Sequence, residues 1–283
     1  MIWFNDNVSL LHYFSIKVLK TGRVPEHIAF IMDGNRRYAK KKGVKSDVGH
    51  SKGFDKLTEI LKWCSVLGVR EVTVYAFSIE NFKRTQEEVN TIMNIAYEKL
   101  KCFLEEINEV NNLGLRLVIT GRLSLLPKDF NAIASSCMIA TRRNKKLRLN
   151  IAVAYTGRDE ISRAASHIVD RVKNKQLTPD DIDEDLITSS LELGEPDLLV
   201  RTSGEVRLSD FMLWQVSNTV LYFCDVLWPE LTIWNLLAAI IHYQRHAPAS
   251  KAVMPFSKTR QMFLDQLNNR RLQQRLNEVS LTQ

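Results

Sequence analysis

The chain has 283 residues, 45% of them hydrophobic, and carries 39 Lys and Arg against 32 Asp and Glu, a formal net charge of +7. This composition excludes a chain disordered throughout and suits one large α/β domain or two small ones. The positive balance favours anionic ligands or surfaces, namely phosphates, acidic lipid or nucleic acid.

The first stretch, MIWFNDNVSLLHYFSIKVLKTG, is rich in apolar residues but is interrupted by Asp6, His12, Lys17 and Lys20. It falls short of the roughly 18 apolar residues that a membrane span needs. It also has no basic leader or small-residue cleavage site. An amphipathic segment over about 9–20 is expected, either lying on a bilayer surface or packed on the domain.

Six apolar runs of strand length follow: HIAFIM, EVTVYAF, LRLVITG, LRLNIAVAY, DLLVRT and VLYFCD. Most lack polar alternation, and helical stretches separate them, so the expected fold is α/β with one central, mainly parallel sheet flanked by helices.

The first run ends in Asp33-Gly34-Asn35-Arg36-Arg37. Ligands of doubly wound sheets sit beyond the carboxyl ends of strands. A helix opening there would offer free N–H groups, Gly34 would allow close approach, and two forked guanidinium groups suit a diphosphate, with Asp33 able to hold Mg2+. A plain turn with Asp33 or Asn35 as N-cap fits the same residues. His50, just after Gly49, is within reach of this cluster, whereas the other histidines show no ligand spacing.

The second run leads into Ser78, Glu80, Asn81 and Arg84, and then into Thr85-Gln86-Glu87-Glu88, a capping box. The helix it opens should run to about Asn112, roughly 40 Å, and could wall a deep groove. Further helix starts are expected at Thr156, with Asp159 three positions on, and at Thr178-Pro179-Asp180-Asp181. The acidic run 180–185 looks like an aspartate-rich metal motif, but it follows Thr-Pro, where first-turn carboxylates belong for dipole reasons, and no second such motif exists.

The fifth run ends in Arg201 and Ser203, followed by Glu205, Arg207 and Ser209. Two arginines six apart with Gly204 between them can fold back on one diphosphate, although Ser209-Asp210 could simply cap the next helix. Past about residue 247 the proline-containing HAPASKAVMPFSK breaks the pattern before a polar helix from about Lys258, whose Phe263, Leu267, Leu272, Leu276 and Val279 make a partial apolar stripe. The four cysteines are scattered without CxxC spacing, as in reduced thiols of a cytosol-facing protein. There is no Walker A sequence and no GxGxxG.

Together HIAFIMDGNRRYAKK, Gly49-His50, VYAFSIENFKR, RTSGEVRLSDFMLWQ and DVLWPE resemble the signature regions of the cis-prenyltransferase (undecaprenyl diphosphate synthase) family, over roughly 25–236. RTSGEVRLSDF and the amphipathic start are most similar to the eukaryotic dehydrodolichyl diphosphate synthase branch. The resemblance implies a hydrophobic tunnel and a catalytic subunit that condenses isopentenyl diphosphate onto farnesyl diphosphate with Mg2+, giving long polyprenyl diphosphates for dolichol synthesis. By position it implies Asp33 as the Mg2+ ligand; Gly34, Asn35, Arg36, Arg37 and Arg84 on the allylic diphosphate; and Arg201, Arg207 and Ser209 on isopentenyl diphosphate. Asn81 would sit where the proton leaves, and His50 near the diphosphates, while Phe77 and the long helix would line the tunnel.

Two departures stand out. Homodimeric bacterial members carry Glu at the position of Val220 and Arg at that of Ser46, and they end in an Arg-x-Gly motif that reaches the partner's diphosphates; none follows Trp234 here. The resemblance therefore implies a non-catalytic partner of the Nogo-B receptor type. The implied organisation is a membrane-associating segment at 1–24, a catalytic domain at 25–246 and a helical tail at 247–283, located peripherally at the cytoplasmic face of the endoplasmic reticulum membrane. Two rival readings remain: a non-catalytic scaffolding subunit, which should have lost the diphosphate grips, and a basic nucleic-acid-binding protein. The KKKGVK run lacks interleaved aromatics, so no nucleic-acid partner is expected.

Overall fold

The computed structural model describes residues 10–248 and 258–280. All six apolar runs are strands: β1 His27–Ile31, β2 Glu71–Ser78, β3 Leu115–Thr120, β4 Leu147–Tyr155, β5 Leu198–Arg201 and β6 Val220–Phe223. They form one sheet in the order β3-β4-β2-β1-β5-β6, with every neighbouring pair parallel. β1 is buried at every position, with Ile28 and Phe30 facing one cluster and Ala29 and Ile31 the other. That is why the strands read as continuous apolar runs rather than alternating ones.

The larger core lies between one sheet face and helices α3 Ser46–Leu67, α4 Gln86–Glu105, α6 Lys128–Thr141 and α9 Ile233–His246. The opposite face packs on Leu193, Phe211, Met212 and Val216. The remaining helices are α1 Leu10–Leu19, α2 Asn35–Lys42, α5 Ile107–Asn112, α7 Gly157–Lys173, α8 Glu184–Ser190 and α10 Lys258–Ser280.

The helix opening at Thr85 is not one rod to Asn112. It breaks at Glu106, whose φ of −96° and ψ of 19° leave the helical range, and α5 turns off. The turn lets fully buried Val110 reach the core, which a straight helix would carry away from it. The capping box is also only half made. Thr85 Oγ1 accepts the Glu88 N–H at 3.3 Å, but the Glu88 carboxylate turns to Arg84 at 2.8 Å and Arg36 at 3.6 Å. Thr156 caps α7 through the Asp159 N–H. In the acidic run, Asp181 closes a short 3-10 turn with Thr178, and Asp183 caps α8.

Helix α1 buries Ile16 against the domain while Leu11, Phe14 and Val18 remain exposed. In the tail, α10 seats Phe263, Leu264 and Leu267 on Ile168, Leu177 and Leu186. The expected break over 247–257 falls mostly at 249–257, outside the described residues, as does the expected start before residue 10.

Candidate active site

β1 has β2 on one side and β5 on the other, so the carboxyl ends of these three strands meet where the strand order reverses. Such a point leaves a crevice open to ligand. Thr202 ties two of the ends together: its Oγ1 accepts the Asp33 N–H at 3.1 Å and donates to the Asp33 carbonyl at 2.9 Å. The crevice is a cavity of about 920 Å³.

Its floor is the β1–α2 turn. Gly34 is the N-cap of α2 with φ 104°, and a Cβ there would lie 2.9 Å from both Ser203 Oγ and a Leu227 methyl. Only glycine fits that backbone and that approach. Neither Asp33 nor Asn35 caps the helix, so no side chain takes the first-turn N–H groups, which are the natural donors to an anion. Asp33 Oδ1 accepts the Gly34 N–H at 2.7 Å, and Oδ2 faces Arg201 at 3.2 Å and Arg37 at 3.4 Å.

Arg201 is 3% exposed and divides its guanidinium among Asp33, Ser209 Oγ at 2.8 Å and the Arg207 carbonyl. Arg37 donates to the Ser203 carbonyl at 2.9 Å and stands 3.4 Å from Glu205, whose other oxygen pairs with Arg207. Glu205 thus sits between the two arginine groups. The loop carrying it holds Ser203, Ser209, Asp210 and Met212 at positive φ. Its conformation is locked from beneath: the Asp210 carbonyl accepts the Gly157 N–H, and its carboxylate accepts the Arg158 N–H and Nε–H at 3.0 and 2.8 Å. Tyr75 stacks on Phe211 at 4.5 Å, and its hydroxyl faces the Ser209 carbonyl at 3.3 Å. Burial pushes the Tyr75 phenol up to about 12, so it remains a donor.

Asn81 caps the 3-10 turn Ile79–Lys83, its Oδ1 accepting the Ser78 N–H at 3.0 Å. Gly49 and Gly53 of α3 leave room for Asn35, since a Cβ at either would lie 2.4 Å from an Asn35 oxygen. His50 is held neutral, because burial, and after it the Arg84 charge, lower its pKa. Four buried polar atoms here have no partner: Asn35 Oδ1, His50 Nε2, Ser203 Oγ and Arg201 Nε. Most buried polar groups in folded proteins are satisfied, so a cluster of four orphans around one cavity marks where a polar ligand belongs.

Every site residue expected from the sequence lines this one cavity: Asp33, Gly34, Asn35, Arg36, Arg37, His50, Asn81, Arg84, Arg201, Arg207 and Ser209. Tyr75, Arg158 and Asp210 line it too and were missed. Asp210 follows Ser209 and Arg158 follows a capped helix start, so proximity to known signals could have found those two; nothing in the sequence marks Tyr75.

The cavity continues inward. Met32, Asn35, His50, Ala76, Phe77 and Ile92 border both it and a second, apolar cavity of about 130 Å³. That channel lies between the sheet and helices α3 and α4 and is lined by Leu57, Met93, Ala96 and Leu100, with Ile119 of the edge strand β3 and Phe130 bordering it but not the polar cavity. Phe77 and the α4 residues therefore line it, as expected.

Mg2+ fits this donor set. Asp33 opens its carboxylate to the cavity, and no group of three or more His, Cys, Asp or Glu side chains among the described residues could form an all-protein cage. A single carboxylate completed by substrate phosphate oxygens and water is the usual Mg2+ arrangement. Val220 is buried at the start of β6 and offers no oxygen ligand, and Ser46 opens α3 at the surface.

A polar, arginine-lined crevice at a switch point, draining into an apolar channel, defines an enzyme for substrates with a diphosphate head and a hydrocarbon tail. Residues 31–249 match the family described as "Putative undecaprenyl diphosphate synthase". The chain is 47% identical over 257 residues to the human dehydrodolichyl diphosphate synthase complex subunit, covering 89% of this chain and 77% of that one. It is 44% identical over 277 residues to the mouse subunit, covering 96% and 81%. Among solved structures, lavandulyl diphosphate synthase from Lavandula x intermedia in complex with dimethylallyl diphosphate superposes with a TM-score of 0.74 at 35% identity, covering 78% of this chain and 95% of that one. The chain belongs to this prenyltransferase family and is a transferase of prenyl groups.

Proposed function

We propose that the chain is the catalytic subunit of a cis-prenyltransferase that adds isopentenyl diphosphate repeatedly to farnesyl diphosphate, giving a long polyprenyl (dehydrodolichyl) diphosphate for dolichol synthesis and protein glycosylation. The observation that carries this is one cavity bordered by both arginine groups and continuous with an apolar channel. Gly34, Asn35, Arg36, Arg37 and Arg84 hold the allylic diphosphate at the channel mouth. Arg201, Arg207 and Ser209 hold the isopentenyl diphosphate. Mg2+ at Asp33 would neutralise phosphate charge. As the allylic C–O bond breaks, negative charge gathers on the departing diphosphate, so the arginines and the α2 N–H groups act on the transition state more than on the substrate. Asn81 and His50 stand at the edge where the proton of the new bond leaves. The apolar channel excludes water from the developing allylic cation.

A scaffolding subunit is not favoured, since every diphosphate grip is retained around one cavity. A second, non-catalytic subunit of the Nogo-B receptor type is supported by the outer side of β6, which pairs with no described strand, and by relatives named as complex subunits. Membrane association of the 1–24 segment is supported by exposed Leu11, Phe14 and Val18 beside exposed Trp234 and Ile241. No described helix is long and apolar enough to cross a membrane. On this reading the chain lies on the cytoplasmic face of the endoplasmic reticulum membrane.

The test is incorporation of labelled isopentenyl diphosphate with farnesyl diphosphate, with and without Mg2+ and with and without the partner. Asp33→Ala should fold and lose most turnover. Unchanged turnover, or activity undiminished by a chelator, overturns the assignment.

A further inference from the structure

The sheet ends at β3, an edge strand with no described strand beyond it, yet several of its outer groups are occupied. Thr141 Oγ1 of α6 accepts the Leu117 N–H at 3.0 Å, and Met138 Sδ of α6 takes the Ile119 N–H at 3.4 Å. The Ile119 carbonyl is reached from the tail, by Arg275 Nη2 of α10 at 3.1 Å. Unpaired edge groups buried away from water are costly, so this cover is part of the fold's hydrogen-bond accounting.

The tail also holds α6, through Glu278. Glu278 accepts a hydrogen bond from fully buried Ser135 at 2.5 Å and faces Arg275 at 3.3 Å. Arg271 donates to the Ser190 carbonyl at 2.8 Å, and Phe263, Leu264 and Leu267 anchor the helix lower down. What α10 grips is not arbitrary surface: Ile119 of β3 and Phe130 of α6 both border the apolar channel.

We infer that α10 is a brace that fixes the far wall of the channel through Arg275 and Glu278, and thereby sets the length of the product. The inference rests on the function proposed above. A chain growing from the diphosphate end advances into the channel until packing against that wall costs more than the next unit gains. With the brace intact, α6 is pinned to β3 beyond the two direct contacts through Thr141 and Met138. With it loosened, α6 can move outward at Phe130 and admit further units. Arg275 and Glu278 are positioning residues, since neither borders the channel itself.

The experiment uses the full chain, with its partner if turnover requires one, and compares Arg275→Ala and Glu278→Ala with wild type. The readouts are the product ladder and hydrogen exchange at the Leu117 and Ile119 amides. Both variants should shift the ladder to longer products by at least one five-carbon unit and speed exchange at those amides, with initial isopentenyl incorporation within about twofold of wild type. An Ile240→Val variant, altered in the core of α9, should leave the ladder unchanged, which separates bracing from general destabilisation. An unchanged ladder in both brace variants overturns the inference. If Arg275→Ala fails to fold, Glu278→Ala alone decides. If wild type makes no ladder at all, the proposed function fails instead, and unaltered exchange in the variants would then overturn the brace.

Discussion

Arg207 and Arg201 are six residues apart in one loop, yet replacing each by alanine should have very different effects on stability and similar effects on turnover. Arg207 has a side chain 62% exposed, and among the described residues its ion pair is with Glu205. Losing an exposed pair costs at most about 1 kcal/mol, and at roughly 2–4 °C per kcal/mol for a chain of this size the melting temperature should fall by less than about 4 °C. Arg201 is 3% exposed and supplies Asp33, Ser209 and the Arg207 carbonyl. Its removal strands buried acceptors at about 1–3 kcal/mol each; with Asp33 partly solvated, a total near 3 kcal/mol, or about 6–12 °C, is expected. For turnover, a lost charge-assisted grip on a diphosphate is worth about 1.5–3 kcal/mol, or roughly 10- to 150-fold in kcat/KM. Arg207→Ala should express that loss in isopentenyl diphosphate and leave the KM for the allylic substrate within about twofold. The assay is steady-state incorporation with each substrate varied in turn, alongside thermal unfolding. An Arg207→Ala protein that melts as low as Arg201→Ala, or whose isopentenyl KM is unchanged, refutes the reasoning.

The two glycines that admit Asn35 should also separate. Gly53→Ala meets the tip of the Asn35 side chain and should raise the KM for the allylic substrate with little change in melting. Gly49→Ala meets the Asn35 backbone carbonyl and should cost about 1–2 kcal/mol after the gain in helix propensity, read by denaturant unfolding. Ala96→Phe, which adds bulk to the wall of the apolar channel away from the polar cavity, should shorten the products while sparing the first condensation, as a product ladder will show. His27, whose pKa is lowered chiefly by burial, sets an acid limit. Above its ordinary 6.5 both folded and unfolded states are neutral, so its contribution is fully present there. As pH falls below 6.5 the unfolded chain takes the proton first, so stability drops by up to about 1.4 kcal/mol per pH unit until the lowered folded value is reached. His27→Asn should flatten that acid slope in a series of melts, leaving the share due to His50, His167 and His242, whose pKa values are also lowered chiefly by burial.

What could be read from the residues differs by kind. Strands buried on both faces leave a plain signature, so all six apolar runs are strands and the three polar clusters follow as their ends. The break at Glu106 was hidden because no Pro or Gly marks it; the turn is imposed by burial of Val110. Thr85 to Glu88 reads as a reciprocal cap, but Arg84 and Arg36 compete for the same carboxylate and win it. Tyr75 was invisible for a similar reason, since an aromatic within a strand reads as core until its hydroxyl is seen to face the Ser209 carbonyl. Local signals identify residues that act where they stand, and they miss residues recruited by a distant neighbour.

The recruited carboxylates account for how so much positive charge is held around one cavity before substrate arrives. Glu88 stands between Arg84 and Arg36, Glu205 between Arg37 and Arg207, and Asp33 between Arg37 and Arg201. Each acid keeps two guanidinium groups apart from one another and aimed into the crevice, so the geometry a diphosphate needs is already present. Binding then exchanges one anion for another rather than bringing free cations together, and little reorganisation is left for the moment the C–O bond breaks. Glu205 touches one arginine from each group, so a diphosphate that draws Arg207 away must loosen the restraint on Arg37. That shared carboxylate is the shortest path by which filling the isopentenyl side can be felt on the allylic side.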